Sequence, residues 1–261
     1  LFRSAVGTFT TISSCVNSKY KGAAELLPWF VEWTAKADQG TRGKASTEIF
    51  VIAAGKNGAV PPKGDCIVDG IAIESKSYKA NYGYEFTVSG RQGNGFPLRD
   101  AWALAATNLL TAKGYTKRLN TKEFPFGSGG NGKTYGPMET ALNNFVDMLR
   151  STGMQTRAIN NWFIKTTNDV FGTSGLSLPC VTKDGVNVHN FLVLWTACGL
   201  DYYKAEEGFD IITMFNRKAM GVIVFTSGAE VLANASKFKP DALSMKGMPG
   251  QNSSIAAGQC K

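Results

Sequence analysis

The chain predicts an α/β fold in which a central mixed β-sheet is flanked by helices. Three observations lead there. Short apolar, β-branched runs bounded by Gly, Pro and Asp, such as Cys66–Val68 and Met220–Thr226, read as strands. Longer stretches with apolar residues every three or four positions read as amphipathic helices. With 43% apolar and 18% charged residues in 261, the chain has material for a sizeable core and is no disordered polymer. Residues 1–240 read as a single α/β domain, with a core at about 20–150, a C-terminal β-rich extension at 151–240, and a flexible tail at 241–261.

In chain order, Ala23–Ala37 predicts a helix through Leu26, Leu27, Phe30, Val31 and Trp33, with Pro28 giving it a late start or a kink. Ser46 is placed to cap a second helix over Thr47–Ala54, closed by Gly55 and Gly58. Pro61 and Pro62 then deliver the chain into a strand pair. Beyond it, Tyr78–Phe86 is aromatic and basic and extends into another strand. Arg99–Lys113 carries the helical stripe Trp102, Leu109 and Leu110 and stops at Gly114; 120–136 is a Gly-rich loop. Pro137–Arg150 is a helix with Pro in its first turn, buried along Met138, Leu142, Phe145, Val146 and Leu149. In the last third, Phe191–Trp195, Phe209–Phe215 and Met220–Thr226 read as short β runs, and the Gly- and Ser-rich tail from Pro240 reads as poorly ordered.

The most specific local signal is Asp65-Cys66-Ile67-Val68-Asp69-Gly70-Ile71-Ala72-Ile73-Glu74-Ser75-Lys76. Asp-Gly between apolar runs predicts a two-residue type I′ hairpin turn, whose central residues both need positive φ. That turn pairs Val68 with Ile71, Ile67 with Ala72 and Cys66 with Ile73, and sets Asp65 opposite Glu74. Strand periodicity then puts Asp65, Ile67, Ala72, Glu74 and Lys76 on one face, and Cys66, Val68, Ile71, Ile73 and Ser75 on the other. Like charges directly opposed in a sheet repel. Two facing carboxylates with a lysine beside them outline a divalent-cation site. The plainer alternative is that Asp65 starts a strand and Glu74 and Lys76 form a solvated ion pair.

Asp65 followed by Glu74-Ser75-Lys76 resembles the PD-(D/E)XK superfamily, the restriction-endonuclease-like metal-dependent nucleases. Their pattern is an Asp at the end of one strand, then Asp or Glu, any residue and Lys on the next, with a further Glu on a preceding helix. The resemblance spans about thirty residues, and Gly64 stands where the pattern has Pro. It implies a restriction-endonuclease-like core and hydrolysis of DNA phosphodiester bonds. By the same resemblance Mg²⁺ or Mn²⁺ is held by Asp65, Glu74 and the Ser75 backbone carbonyl, and Lys76 orients or activates the attacking water. Glu48 is the helical acid, with Glu25 and Glu32 as alternatives.

The net charge of +8 suits a polyanion partner, and DNA is the expected one. Lys79, Arg91, Gln92 and Arg99 follow the hairpin and are candidates for contacting it, as is Lys133. Tyr78, Tyr82 and Tyr84 could stack on bases or serve simply as β-formers. Lys133 also falls in Gly127–Thr134, which satisfies the P-loop pattern G-x-x-x-x-G-K-[ST] and raises an NTPase as an alternative. The polar, Pro-broken stretch before it and Pro137 after it speak against that reading. A further alternative is a non-catalytic nucleic-acid-binding or virion structural protein. His189, the single histidine, precedes an apolar run and reads as structural. Five cysteines, with no Cys-x-x-Cys pair, argue against a structural zinc site and for a reducing, cytoplasmic setting. No signal peptide is visible and no run approaches the ~20 apolar residues of a membrane span. A homodimer is compatible with everything above.

Overall fold

The computed structural model describes residues 10–11, 65–78, 84–89, 98–116, 119, 124, 135–216, 221–237, 244–248 and 252–257. It is α/β, with a mixed sheet and helices, and divides into two compact units. One comprises Leu1–Phe86, Tyr203–Lys239 and Ala257–Lys261; the other comprises Thr87–Tyr202 and Pro240–Ala256. The helices expected over Ala23–Ala37 and Thr47–Ala54 lie outside the described residues.

The first unit is built on a five-stranded sheet. Its strands are β1 (Thr10–Thr11), β2 (Cys66–Val68), β3 (Ile71–Tyr78), β7 (Ile211–Asn216) and β8 (Gly221–Phe225), in the order β1-β8-β7-β3-β2. β3 is flanked by β2 running antiparallel and by β7 running parallel, with Ile73 opposite Ile211 and Glu74 opposite Ile212. β7 and β8 are antiparallel, Thr213 facing Val224. The parallel pair is extended by Asp210, whose backbone N–H donates to the Ala72 carbonyl at 2.8 Å while its carboxylate accepts the Ala72 N–H at 2.9 Å. Both free edges of the Ala72 peptide are thereby satisfied just where β7 begins. Cys66, Val68 and Ile73 are buried on one face of the hairpin. After β8, Ser227 caps α5 (Gly228–Ala233) by accepting the Glu230 N–H. The Glu230 carboxylate reaches back to the Thr226 N–H and hydroxyl at 2.6 and 2.7 Å, a variant of the reciprocal capping box.

The second unit is mainly helical. β4 (Tyr84–Ser89) leads toward α1 (Leu98–Ala112), α2 (Tyr135–Ser151), α3 (Thr156–Phe171), the short hairpin β5 (Val181–Thr182) and β6 (Gly185–Val186), and α4 (Val188–Glu207). Trp102, fully buried, is the hub of its core, with the rings of Phe124, Phe145, Trp162, Phe163 and Phe191 within 6.2 Å. Most of these contacts are tilted or edge-on, as the ring quadrupoles prefer. The Trp102 indole N–H donates to the Thr167 hydroxyl at 3.2 Å, so the hub buries no unpaired donor. Asparagine side chains fasten the β5–β6 hairpin: Asn160 Oδ1 accepts from the Cys180 and Val181 N–H groups, and Asn143 Oδ1 from that of Val186. Arg150 adds a bond to the Thr182 carbonyl at 2.7 Å.

Helices α1 and α2 fall where the periodicity puts them. Phe191–Trp195 does not: it lies inside α4, not in a strand. Every residue from 191 to 200 is buried, so this stretch of the helix has no wet face and no helical period for the pattern to show. An apolar run of that length is the same signal in a buried strand and a buried helix. The segment 151–240 is therefore as much helical as β, because α3, α4 and α5 all lie within it beside β5 to β8. α3 escapes notice because its buried face includes Thr166, Thr167 and Asn168. In the tail, β9 (Ser244–Met248) and β10 (Asn252–Ala257) pair antiparallel where irregular chain was expected. Among the described residues no helix is long and apolar enough to cross a membrane.

Among the described cysteines, Cys66, Cys180 and Cys198 are buried thiols. Burial pushes the Cys198 thiol up to about 12, with Thr173 partly opposing through a hydrogen bond, and burial raises Cys180 further still. Thiolate is the reactive form. In the native protein at pH 8 these three should resist alkylation, and peptide mapping after an iodoacetamide pulse checks it; labelling without prior denaturation contradicts the packing. The hairpin turn gives a second expectation. Gly70 has φ of 77° with nothing within 4 Å of a Cβ built there, so Gly70→Ala should cost about 1 kcal/mol through backbone strain alone. Gly70→Asn should cost less, since Asn tolerates this region. Urea midpoints of the two variants decide it; equal losses would point to some cause other than φ.

Candidate functional site

The site grows out of the tight turn. Asp69 and Gly70 have φ of 50° and 77°, both positive, as a type I′ reversal demands. The ladder that follows pairs Val68 with Ile71, Ile67 with Ala72 and Cys66 with Ile73, the register expected from the sequence. The ladder stops at Cys66. One residue earlier, Asp65 turns its carboxylate onto β3, where Oδ2 accepts the Ser75 N–H at 2.8 Å. A side chain thus takes the place of the next backbone acceptor and is pinned beside Glu74.

Glu74 is only 3% exposed. Its neighbour on the same face of β7, Ile212, is fully buried and apolar. A carboxylate in such surroundings must find a donor, because losing its water without replacement is costly. The donor is Tyr203, whose hydroxyl donates to Glu74 Oε1 in a short buried hydrogen bond spanning 129 residues of sequence. Tyr203 sits on the last turn of α4 and is 4% exposed. Its ring is held edge-on by Phe209 at 5.2 Å. The next residue, Lys204, ties the same turn to the end of β8 by donating to the Thr226 carbonyl at 2.9 Å. Burial drives the Tyr203 phenol well above its ordinary range; the Glu74 charge and hydrogen bond, then Glu207 and Asp65, push it the same way. Asp65, Glu74 and Glu207 therefore all act on one phenol.

Of the residues singled out from sequence, Asp65, Glu74 and Ser75 are brought together. For Lys76 and Arg99 only the backbone is described, in β3 and in the first turn of α1. Glu48, Lys79, Arg91, Gln92 and Lys133 lie outside the described residues, as does Gly127–Thr134; α2 opens at Tyr135, directly after it. Sequence reasoning missed Tyr203 and Glu207. Nothing local marks a tyrosine at the end of a buried helix as the partner of a glutamate so distant in the chain. Among the described residues no group of three or more His, Cys, Asp or Glu side chains is placed to hold a metal ion. No protein-family model matches this chain, and no curated protein or solved structure matches it either.

The phenol gives the site a pH signature. A folded-state pKa above the unfolded value near 10 means that this contribution is complete below about pH 10 and fades as pH rises toward the folded value. Tyr203→Phe should lower stability at neutral pH by about 1–3 kcal/mol, since Glu74 loses its donor. The gap between wild type and variant should then narrow above about pH 10. Urea unfolding from pH 8 to 11 measures this, and a gap that stays constant would remove Tyr203 from the site.

Proposed function

We propose that this chain is a metal-dependent nuclease that hydrolyses DNA phosphodiester bonds, most simply as an endonuclease, on a restriction-endonuclease-like core. The observation that carries the reading is the hairpin register, which sets the Asp65 carboxylate on the Ser75 N–H beside buried Glu74. The strand bearing Glu74-Ser75-Lys76 lies inside a mixed sheet, with the Asp-bearing segment paired antiparallel on one side and a parallel strand on the other. That arrangement is compatible with the PD-(D/E)XK pattern.

Two carboxylates are the protein share of a Mg²⁺ or Mn²⁺ site in which water and substrate phosphate complete the shell, so the donors fit a hard cation. In this reading Asp65, Glu74 and the Ser75 carbonyl would hold it, and Glu48 would join through water or serve a second ion. When bound, the ion neutralises charge on the phosphate and acidifies a water. Asp65 is oriented by the Ser75 N–H and Glu74 by the Tyr203 hydroxyl, so neither carboxylate has to be ordered at the moment of reaction. Lys76 orients the attacking water and stabilises charge on the phosphoryl oxygens. Lys79, Arg91, Gln92, Arg99 and Lys133 are assigned to the DNA backbone, consistent with the excess of 28 Lys and Arg over 20 Asp and Glu.

Supercoiled plasmid incubated with the protein should be nicked or cut with Mg²⁺ and left intact with a chelator. Glu74→Ala and Lys76→Ala should each slow cleavage by at least about 100-fold while DNA binding persists. Cleavage that survives both substitutions, or survives the chelator, rejects the reading. DNA retention with no cleavage by the wild type would leave a binding protein instead.

A further inference from the structure

We propose that Tyr203 is the positioning residue of the cation site: its buried hydroxyl holds Glu74 Oε1 and so fixes the orientation in which that carboxylate meets a divalent ion. The inference rests on the nuclease reading and deepens it. Tyr203 does not contact substrate in this account; it acts through Glu74.

The geometry points to a positioning role because the segment bearing Tyr203 is located at several independent points. Lys204 fastens the last turn of α4 to the Thr226 carbonyl. Phe209 packs edge-on against the Tyr203 ring. Asp210 then grips both backbone groups of Ala72, two residues before Glu74 on the same strand. The connection from α4 to β7 is therefore latched to β3 beside Glu74 at one end and through Glu74 at the other. A carboxylate kept only for packing would have been served better by an apolar residue beside Ile212, because burying and pairing a charge rarely improves stability. A carboxylate required for its oxygens needs a partner that fixes it without neutralising it. A phenol does so. It donates one hydrogen bond and carries no positive charge to compete with a cation for the carboxylate.

The test uses the full chain without DNA. Mn²⁺ is titrated calorimetrically into wild type, Tyr203→Phe and, as a destabilised control that removes no polar group, Val231→Ala, whose side chain is fully buried in α5. Circular dichroism confirms that each remains folded at the assay temperature. Loss of the outer partner should weaken Mn²⁺ binding by about 10–100-fold in Tyr203→Phe and leave Val231→Ala near wild type. The Mg²⁺ concentration for half-maximal plasmid cleavage should rise by a similar factor, with KM for DNA unchanged. Mn²⁺ should also perturb the near-UV tyrosine band of the wild type more than that of Tyr203→Phe. Equal Mn²⁺ affinity in wild type and folded Tyr203→Phe overturns the positioning role and leaves the nuclease reading standing, as does an equal loss in Val231→Ala. A wild type that takes up no Mn²⁺ overturns the nuclease reading itself. Should Tyr203→Phe not fold, Tyr203→Trp, which retains a ring and an N–H donor, is titrated in its place, and wild-type affinity in that variant counts against a specific phenol.

Discussion

A carboxylate deprived of water has to be answered by a donor, and the answer given to Glu74 organises the unit that contains it. Left unpaired, such a group would cost several kcal/mol. The hydroxyl of Tyr203 supplies the bond, but only if the end of α4 stands over β3. That requirement brings the rest with it: the Lys204 tie to β8, the packing of Phe209, the grip of Asp210 on Ala72, and the parallel pairing of β3 with β7. One polar contact between distant parts of the chain thus has a sheet register on each side of it.

The same contact explains how the site is held still. Asp65 is fixed locally, by a backbone N–H ten residues away along a tight hairpin. Glu74 is fixed from a distance, by a side chain on another element. The two constraints are independent in origin and meet on one strand. Their meeting also concentrates negative charge: Asp65, Glu74 and Glu207 all raise the cost of ionising Tyr203. In the proposed reading this negative charge would serve to attract a cation, and the two hydrogen bonds would orient the acidic oxygens toward it. The proposed chemistry uses both properties.

The helical unit follows a different logic. Its core is rich in aromatic rings, and the buried indole donor of Trp102 is matched to Thr167. Polar side chains there act as fasteners for backbone: three asparagine and arginine side chains close the β5–β6 hairpin onto its neighbouring helices. Buried thiols in this setting are small hydrophobes, raised out of reactivity by the absence of water.

What the amino-acid sequence determined by itself was whatever depends on neighbours along the chain. Asp69-Gly70 dictated a turn with both φ values positive, and that turn dictated the pairing down to Cys66 with Ile73. Amphipathic spacing likewise settled α1 and α2 to within a residue or two, because each has one wet face. Tertiary structure alone decided the identity of Phe191–Trp195, since a stretch buried on every side shows no period. It alone chose Tyr203 as the partner of Glu74, too. A hydrogen bond across 129 residues leaves no mark on local composition, and burial of a carboxylate is a property of the packed fold rather than of the strand that carries it.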